Sequence, residues 1–131
     1  MTAIQSAYDA QSRAYALADV SGVMRYLSKK YVDVNPDGDT NYSDYQKQLE
    51  RLFTLGRGFQ VSARVTELRL KTPLAIVRTE RRFAATLKNN VTGETKEFVQ
   101  DEVLEDRWEL ENKVWLKVRS VVLSSKSNTS N

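Results

Sequence analysis

The chain contains no histidine and no cysteine. The usual general base, the usual metal ligands and any thiolate chemistry are therefore absent. Proton transfer or polar recognition falls to carboxylates, phenols, amides, hydroxyls and cations. Spacing selects among these. Ala75, Val77, Phe83, Ala85 and Leu87 share one parity and fix the inward face of a strand, and Thr79 and Arg81 fall on that parity. Phe98, Leu104, Trp108 and Leu110 set a second parity that carries Gln100, Glu102 and Asp106 inward. A turn centred on Val91-Thr92 places Arg81 opposite Glu102. An inward arginine facing carboxylates is either an internal pair that satisfies buried charge or a polar patch that orients a ligand. Tyr8 and Tyr15 lie two turns apart on one helix stripe. They read as core residues with hydroxyls at an edge, or as pocket lining. Trp108 and Trp115 read as packing near a closing hairpin, with Trp108 also a candidate stacking surface. Asp37 and Asp39 flank Gly38 as a solvated turn with no continued ligand spacing, so no metal site is expected.

Helices must come first to hold the two tyrosines. Ile4, Ala7, Tyr8, Gln11, Ala14, Tyr15 and Ala18 recur at helical spacing. A short helix with Val20, Val23, Met24 and Leu27 follows, capped by Asp19. Tyr31 to Val34 reads as a strand ending in the turn Asn35-Pro36-Asp37-Gly38. A third helix over about 43–55 starts at a Ser43/Gln46 capping box and carries Tyr45, Leu49, Leu52 and Phe53 on one face. Strands make up the rest. Phe59, Val61, Ala63 and Val65 alternate with polar residues, and the phase slips near Thr66 and Glu67, which predicts a bulge and a bend. Pro73, Asn89 to Gly93 and Glu111-Asn112-Lys113 mark three turns. Residues 125–131 are polar, lack periodicity and are expected to be a disordered tail.

Helices followed by long strands on short turns predict an α+β fold. The N-terminal helices should pack in the concave face of a curved antiparallel sheet, with a hollow between. The 131 residues suit one domain, placed at 1–124. The net charge of +3 is small, and the later positives alternate with acids as a solvated face, so no nucleic-acid partner is expected. No apolar run approaches the roughly 18 residues of a membrane span, and the start lacks a signal-peptide core. The expectation is no membrane association and a cytoplasmic location. The Asn41, Asn90 and Asn128 glycosylation patterns read as chance.

Four segments carry a family resemblance, in order and over nearly the whole chain. Ala18 to Met24 resembles the loop and second helix of nuclear transport factor 2-like proteins. Asn35-Pro36-Asp37-Gly38 resembles the turn after their first short strand. Arg107-Trp108-Glu109 and Trp115-Leu116-Lys117-Val118 resemble their closing strands. The resemblance implies a cone-shaped, cystatin-like fold, frequent homodimers and an internal cavity. It implies no single function, because the superfamily holds isomerases, cyclases, dehydratases and non-catalytic binders. In the ketosteroid isomerase and SnoaL-like branch a catalytic Asp stands where this chain has Asn35, and an oxyanion-donating Tyr aligns with Gln11. A histidine-dependent dehydratase is excluded.

The reading is a small-molecule-binding domain with an internal, largely apolar pocket and no cofactor. Its lining should include Tyr8, Gln11, Tyr15, Asn35, Thr79, Arg81, Glu102, Asp106 and Trp108, and its ligand is expected to be small and apolar. One alternative is a cofactor-independent isomerase or cyclase that uses Asp33 or Asp106 as base and a helix tyrosine, such as Tyr15, as donor. The other is a dimerising module without a ligand. The homodimer is expected through the outer sheet face, where Ile76, Ala84, Val99 and Val103 gather.

Overall fold

A computed structural model describes residues 2–130 of the chain. Helix α1 (Ala3–Ala16) begins at Thr2, whose hydroxyl accepts from the Gln5 amide at 3.0 Å. Its buried stripe is Ile4, Ala7, Tyr8, Gln11, Ala14 and Tyr15. Ala18, expected on that stripe, lies past the helix end at φ 52 and is exposed. Helix α2 (Val20–Met24) is capped by Asp19, which accepts from Gly22 N–H at 3.1 Å. Leu27, expected on α2, instead opens strand β1 (Leu27–Val34). After the two-residue strand β2 (Thr40–Asn41) comes α3 (Tyr42–Leu55). Its cap is Asn41, which accepts from Asp44 N–H at 2.9 Å, so the helix starts one residue before the Ser43 box.

Strands β3 (Gly56–Lys71), β4 (Leu74–Lys88), β5 (Thr95–Glu111) and β6 (Val114–Ser130) form an antiparallel meander. The whole sheet runs β2-β1-β6-β5-β4-β3. One pairing departs from the antiparallel expectation: β1 lies parallel to β6. Short turns force antiparallel pairing only between consecutive strands, and β1 and β6 are far apart in the chain. The phase slip near Thr66 is a register shift between Val65 and Glu67. It bends the sheet, which stays open. The helices cover one face, against the buried parity of β4: Ala75, Val77, Thr79, Phe83 and Ala85.

The tail expectation is overturned. Residues 125–130 continue β6, pairing from Ser125 opposite Glu102 to Ser130 opposite Glu97. Both faces there are exposed, so no alternation marks the strand, and β5 supplies the hydrogen-bond ladder. Asn131 lies outside the described residues.

Two apolar clusters fill the concave face. One joins Tyr15, Val23, Met24, Leu27, Tyr31, Leu49, Phe59 and Phe83 across all three helices and the sheet. The other gathers Ile4, Ala7, Tyr8, Ala75, Val77 and Trp108 under the start of α1. No helix among the described residues is long and apolar enough to cross a membrane.

Candidate functional site

The concave side holds a cavity of about 70 Å³. Strand β4 contributes Thr79 and Arg81, β5 contributes Glu102 and Asp106, and α1 contributes Tyr8, Gln11 and Tyr15. Asn35 lines it from the turn after β1. Eight of the nine expected lining residues therefore meet in one place. Arg81 pairs with Glu102 across β4 and β5, in the register the turn dictates, with Nη1 3.5 Å from Oε1.

Trp108 does not reach the cavity. It is fully buried behind Tyr8, packed edge-on at 5.2 Å between ring centroids, and its indole N–H donates to the Tyr8 oxygen at 2.9 Å. The expectation of a largely apolar wall also fails. The wall carries three carboxylates (Asp33, Glu102, Asp106), two cations (Arg81, Lys117) and four phenols (Tyr8, Tyr15, Tyr31, Tyr45).

Asp106 is 0 % exposed, and both its oxygens are engaged. Oδ1 accepts from Ser120 at 2.5 Å and Oδ2 from Tyr8 at 2.5 Å, with Lys117 Nζ 3.6 Å away. Burial first, and the Asp106 charge second, hold the Tyr8 phenol well above its ordinary pKa. The Tyr8 proton is therefore committed to Asp106. Burial pulls the Lys117 ammonium below its usual value, with Asp106 acting against that.

Asp33 is different. It lines the cavity half-buried, and burial raises its carboxyl above the usual aspartate range, opposed by a hydrogen bond from Asn35 and by Lys117. Glu102 is raised in the same way, by burial against the opposing pull of Arg81. The Tyr15 and Tyr45 hydroxyls lie 2.8 Å apart. One must donate to the other, which leaves the second proton free for a further acceptor. The Gln11 amide nitrogen donates one hydrogen bond to the Val23 carbonyl at 3.1 Å, which fixes the amide against α2. Thr79 lines the cavity, and its Oγ1 is buried with no hydrogen-bond partner among the described residues.

No protein-family model and no curated protein sequence matches the chain. Solved structures do. A scytalone dehydratase-like protein from Novosphingobium aromaticivorans is 15% identical with a TM-score of 0.79, over 96% of this chain and 84% of that one. A ketosteroid isomerase-like protein from Erwinia carotovora atroseptica is 20% identical with a TM-score of 0.66, over 93% of this chain and 95% of the other. An NTF-2-like protein of unknown function from Shewanella oneidensis is 12% identical with a TM-score of 0.64, over 92% and 95%. The chain carries the nuclear transport factor 2-like cone fold. At these identities the likeness is one of fold, and function has to be argued from the site.

Within this nuclear transport factor 2-like cone, five polar wall residues escaped the sequence reading: Ser12, Tyr31, Tyr45, Lys117 and Ser120. Tyr31 and Tyr45 looked like ordinary apolar-face residues, and what they face depends on β1 docking beside β6. Lys117 sits in a run whose parity a bulge interrupts. Trp108 pairs with Lys117 and Arg107 with Arg119, which leaves Val118 without a partner and turns Lys117 to the same face as Ser120. A second slip at Leu123 does the same further along. Among the described residues no group of acidic side chains could hold a metal ion.

Proposed function

We propose that this chain is a small-molecule-binding domain of the nuclear transport factor 2-like type, and that its ligand is a small polar molecule held in the cavity. The Thr79 hydroxyl carries this reading. A buried hydroxyl without a partner costs about 1–3 kcal/mol, and an occupant that bonds it recovers that loss. Asp33 and Glu102, both raised by burial, and the spare Tyr15/Tyr45 proton supply further polar contacts around the same space. The volume argues for a few heavy atoms and against a rigid polycycle. The test is an NMR titration of the isotope-labelled protein with small amides, alcohols and polyols. Shifts centred on Thr79, Arg81 and Asp33, and absent in Thr79→Val, support the reading. Shifts scattered over the surface, or unchanged in Thr79→Val, reject it.

A cofactor-independent isomerase- or cyclase-type reaction is the second reading, favoured by the raised Asp33 carboxyl. Asp106 and Tyr8 satisfy each other, so the base would be Asp33 and the donor Tyr15. Asn35 itself has no basic atom to offer. A homodimer through the outer sheet face is proposed alongside either reading, with Ile76, Ala84, Val99 and Val103 half-buried on that face.

A further inference from the structure

Beside the cavity, between α3 and strands β4 and β5, an open cleft of about 250 Å³ is lined mainly by Leu49, Leu52, Phe83, Leu87 and Phe98, with Gln48 and Gln100 as further polar lining. Tyr15, Tyr45 and Arg81 line both spaces. Polar interior and apolar cleft therefore share one wall. An aromatic path follows that wall: Tyr15 and Phe83 have centroids 6.2 Å apart, and Phe83 and Phe98 are 6.1 Å apart. Arg81 lies at the junction, its guanidinium carbon 5.1 Å from the Tyr15 ring centre and 5.9 Å from that of Phe83.

We propose that the two spaces form one bipartite site for an amphiphilic molecule, with an uncharged head that both donates and accepts hydrogen bonds in the cavity and an apolar acyl or aryl tail in the cleft. The proposal rests on the cavity being a ligand site, and it adds the chemistry of both ends. The head must donate, because Asp33 and Glu102 offer acceptor oxygens. It must accept, because the Tyr15/Tyr45 pair holds a spare proton and Arg81 meets Glu102 only at 3.5 Å, leaving guanidinium N–H groups available. A negative head would enter a wall with more carboxylates than cations. A positive head would have to pass Arg81 at the junction. A neutral amide or hydroxyl meets neither obstacle. The tail is specified by the cleft, whose apolar side chains gain by leaving water.

The test is an NMR titration of the full chain with butanamide, hexanamide and octanamide, and with octanoate and octylammonium as charged controls. The expected result is an affinity that rises about three- to fourfold per methylene once the chain reaches the cleft, with both charged congeners at least about tenfold weaker than octanamide, as a desolvated charge without a partner requires. Phe98→Ser should flatten the chain-length gain, so that octanamide binds the variant no more than about twofold tighter than butanamide does. Leu87→Asn serves as the second variant should Phe98→Ser fail to fold. If butanamide, hexanamide and octanamide all fail to bind, the amphiphile proposal is overturned, and the cavity reading stands or falls on the alcohol and polyol titrations. If butanamide binds but octanamide binds no tighter, or if the gain survives both cleft variants, the bipartite site is overturned and the cavity reading stands. If octanoate or octylammonium matches octanamide, the neutral head is wrong.

Discussion

Tyr8 donates its phenolic proton to Asp106 at 2.5 Å, and this bond separates the two carboxylates that sequence alone leaves as equal candidates. Asp106 also accepts from Ser120 and faces Lys117, so each of its oxygens is already engaged by the protein. Asp33 keeps its capacity for the cavity. Asp106, itself on β5, thus ties its strand to two further elements, α1 through Tyr8 and β6 through Ser120 and Lys117, while Asp33 is the group that faces the cavity.

Removing the anchor should be expensive. Asp106→Asn keeps the shape but leaves Lys117 buried without its counter-charge, and breaking such a pair costs about 3–5 kcal/mol. Tyr8→Phe loses the bonds to Asp106 and Trp108 and should cost about 1–3 kcal/mol. Denaturant unfolding measures both. An Asp106→Asn protein as stable as wild type would show that the network carries no stability.

Arg81→Met should lower the melting temperature at pH 7.5, and the deficit should shrink at pH 4. The sign follows from Glu102. Burial raises its folded pKa above the unfolded value, so between those values the folded state binds more protons and stability falls as pH rises. Arg81 opposes that shift. Without it the carboxyl rises further and its charged form costs more at neutral pH, whereas at pH 4 it is protonated in the folded state and the cost is relieved. Equal melting temperatures at pH 7.5 would place Arg81 outside the interior network.

Asp33 should titrate above the ordinary aspartate range, since burial is the largest influence on it. Carboxyl-carbon NMR reads this directly. Because its folded pKa is raised, its ionised form destabilises the fold, and Asp33→Asn should be at least as stable as wild type at neutral pH. A midpoint at or below the model-peptide value would remove Asp33 from the candidate contacts. On a β,γ-unsaturated ketone the wild-type protein should show no turnover. A rate that Asp33→Asn lowers by about 10²–10⁴-fold would instead establish the isomerase reading.

Light scattering at micromolar concentration should return about twice the chain mass of 15.0 kDa, as cover for the patch at Ile76, Ala84, Val99 and Val103 requires. A single species at the chain mass would exclude the outer-face dimer, as would a dimer that Val99→Lys leaves intact.

The sequence carried the parts of the site that local periodicity controls. Five apolar residues fix the parity of β4, and the turn at Asn89 to Gly93 fixes its register, so Arg81 opposite Glu102 is legible in the sequence. The capping aspartate of α2 and the bend at Thr66 were readable for the same reason. Lys117 was not, because the bulge at Val118 shifts parity inside one strand with no Gly or Pro to mark it. Tyr31 and Tyr45 were hidden by a non-local event, the parallel docking of β1 on β6. The polar character of the wall was hidden for the same reasons: it emerges only when residues from six elements, α1, β1, α3, β4, β5 and β6, are brought together.

The most direct test of the account is a crystal structure of the protein grown with hexanamide and read at Thr79. The account predicts density for the amide in the cavity, with its head within hydrogen-bond distance of Thr79 Oγ1 and its tail directed past Arg81 toward Phe98. A structure in which the amide is absent, and the Thr79 hydroxyl is satisfied by a neighbouring protein group in a closed interior, would contradict it.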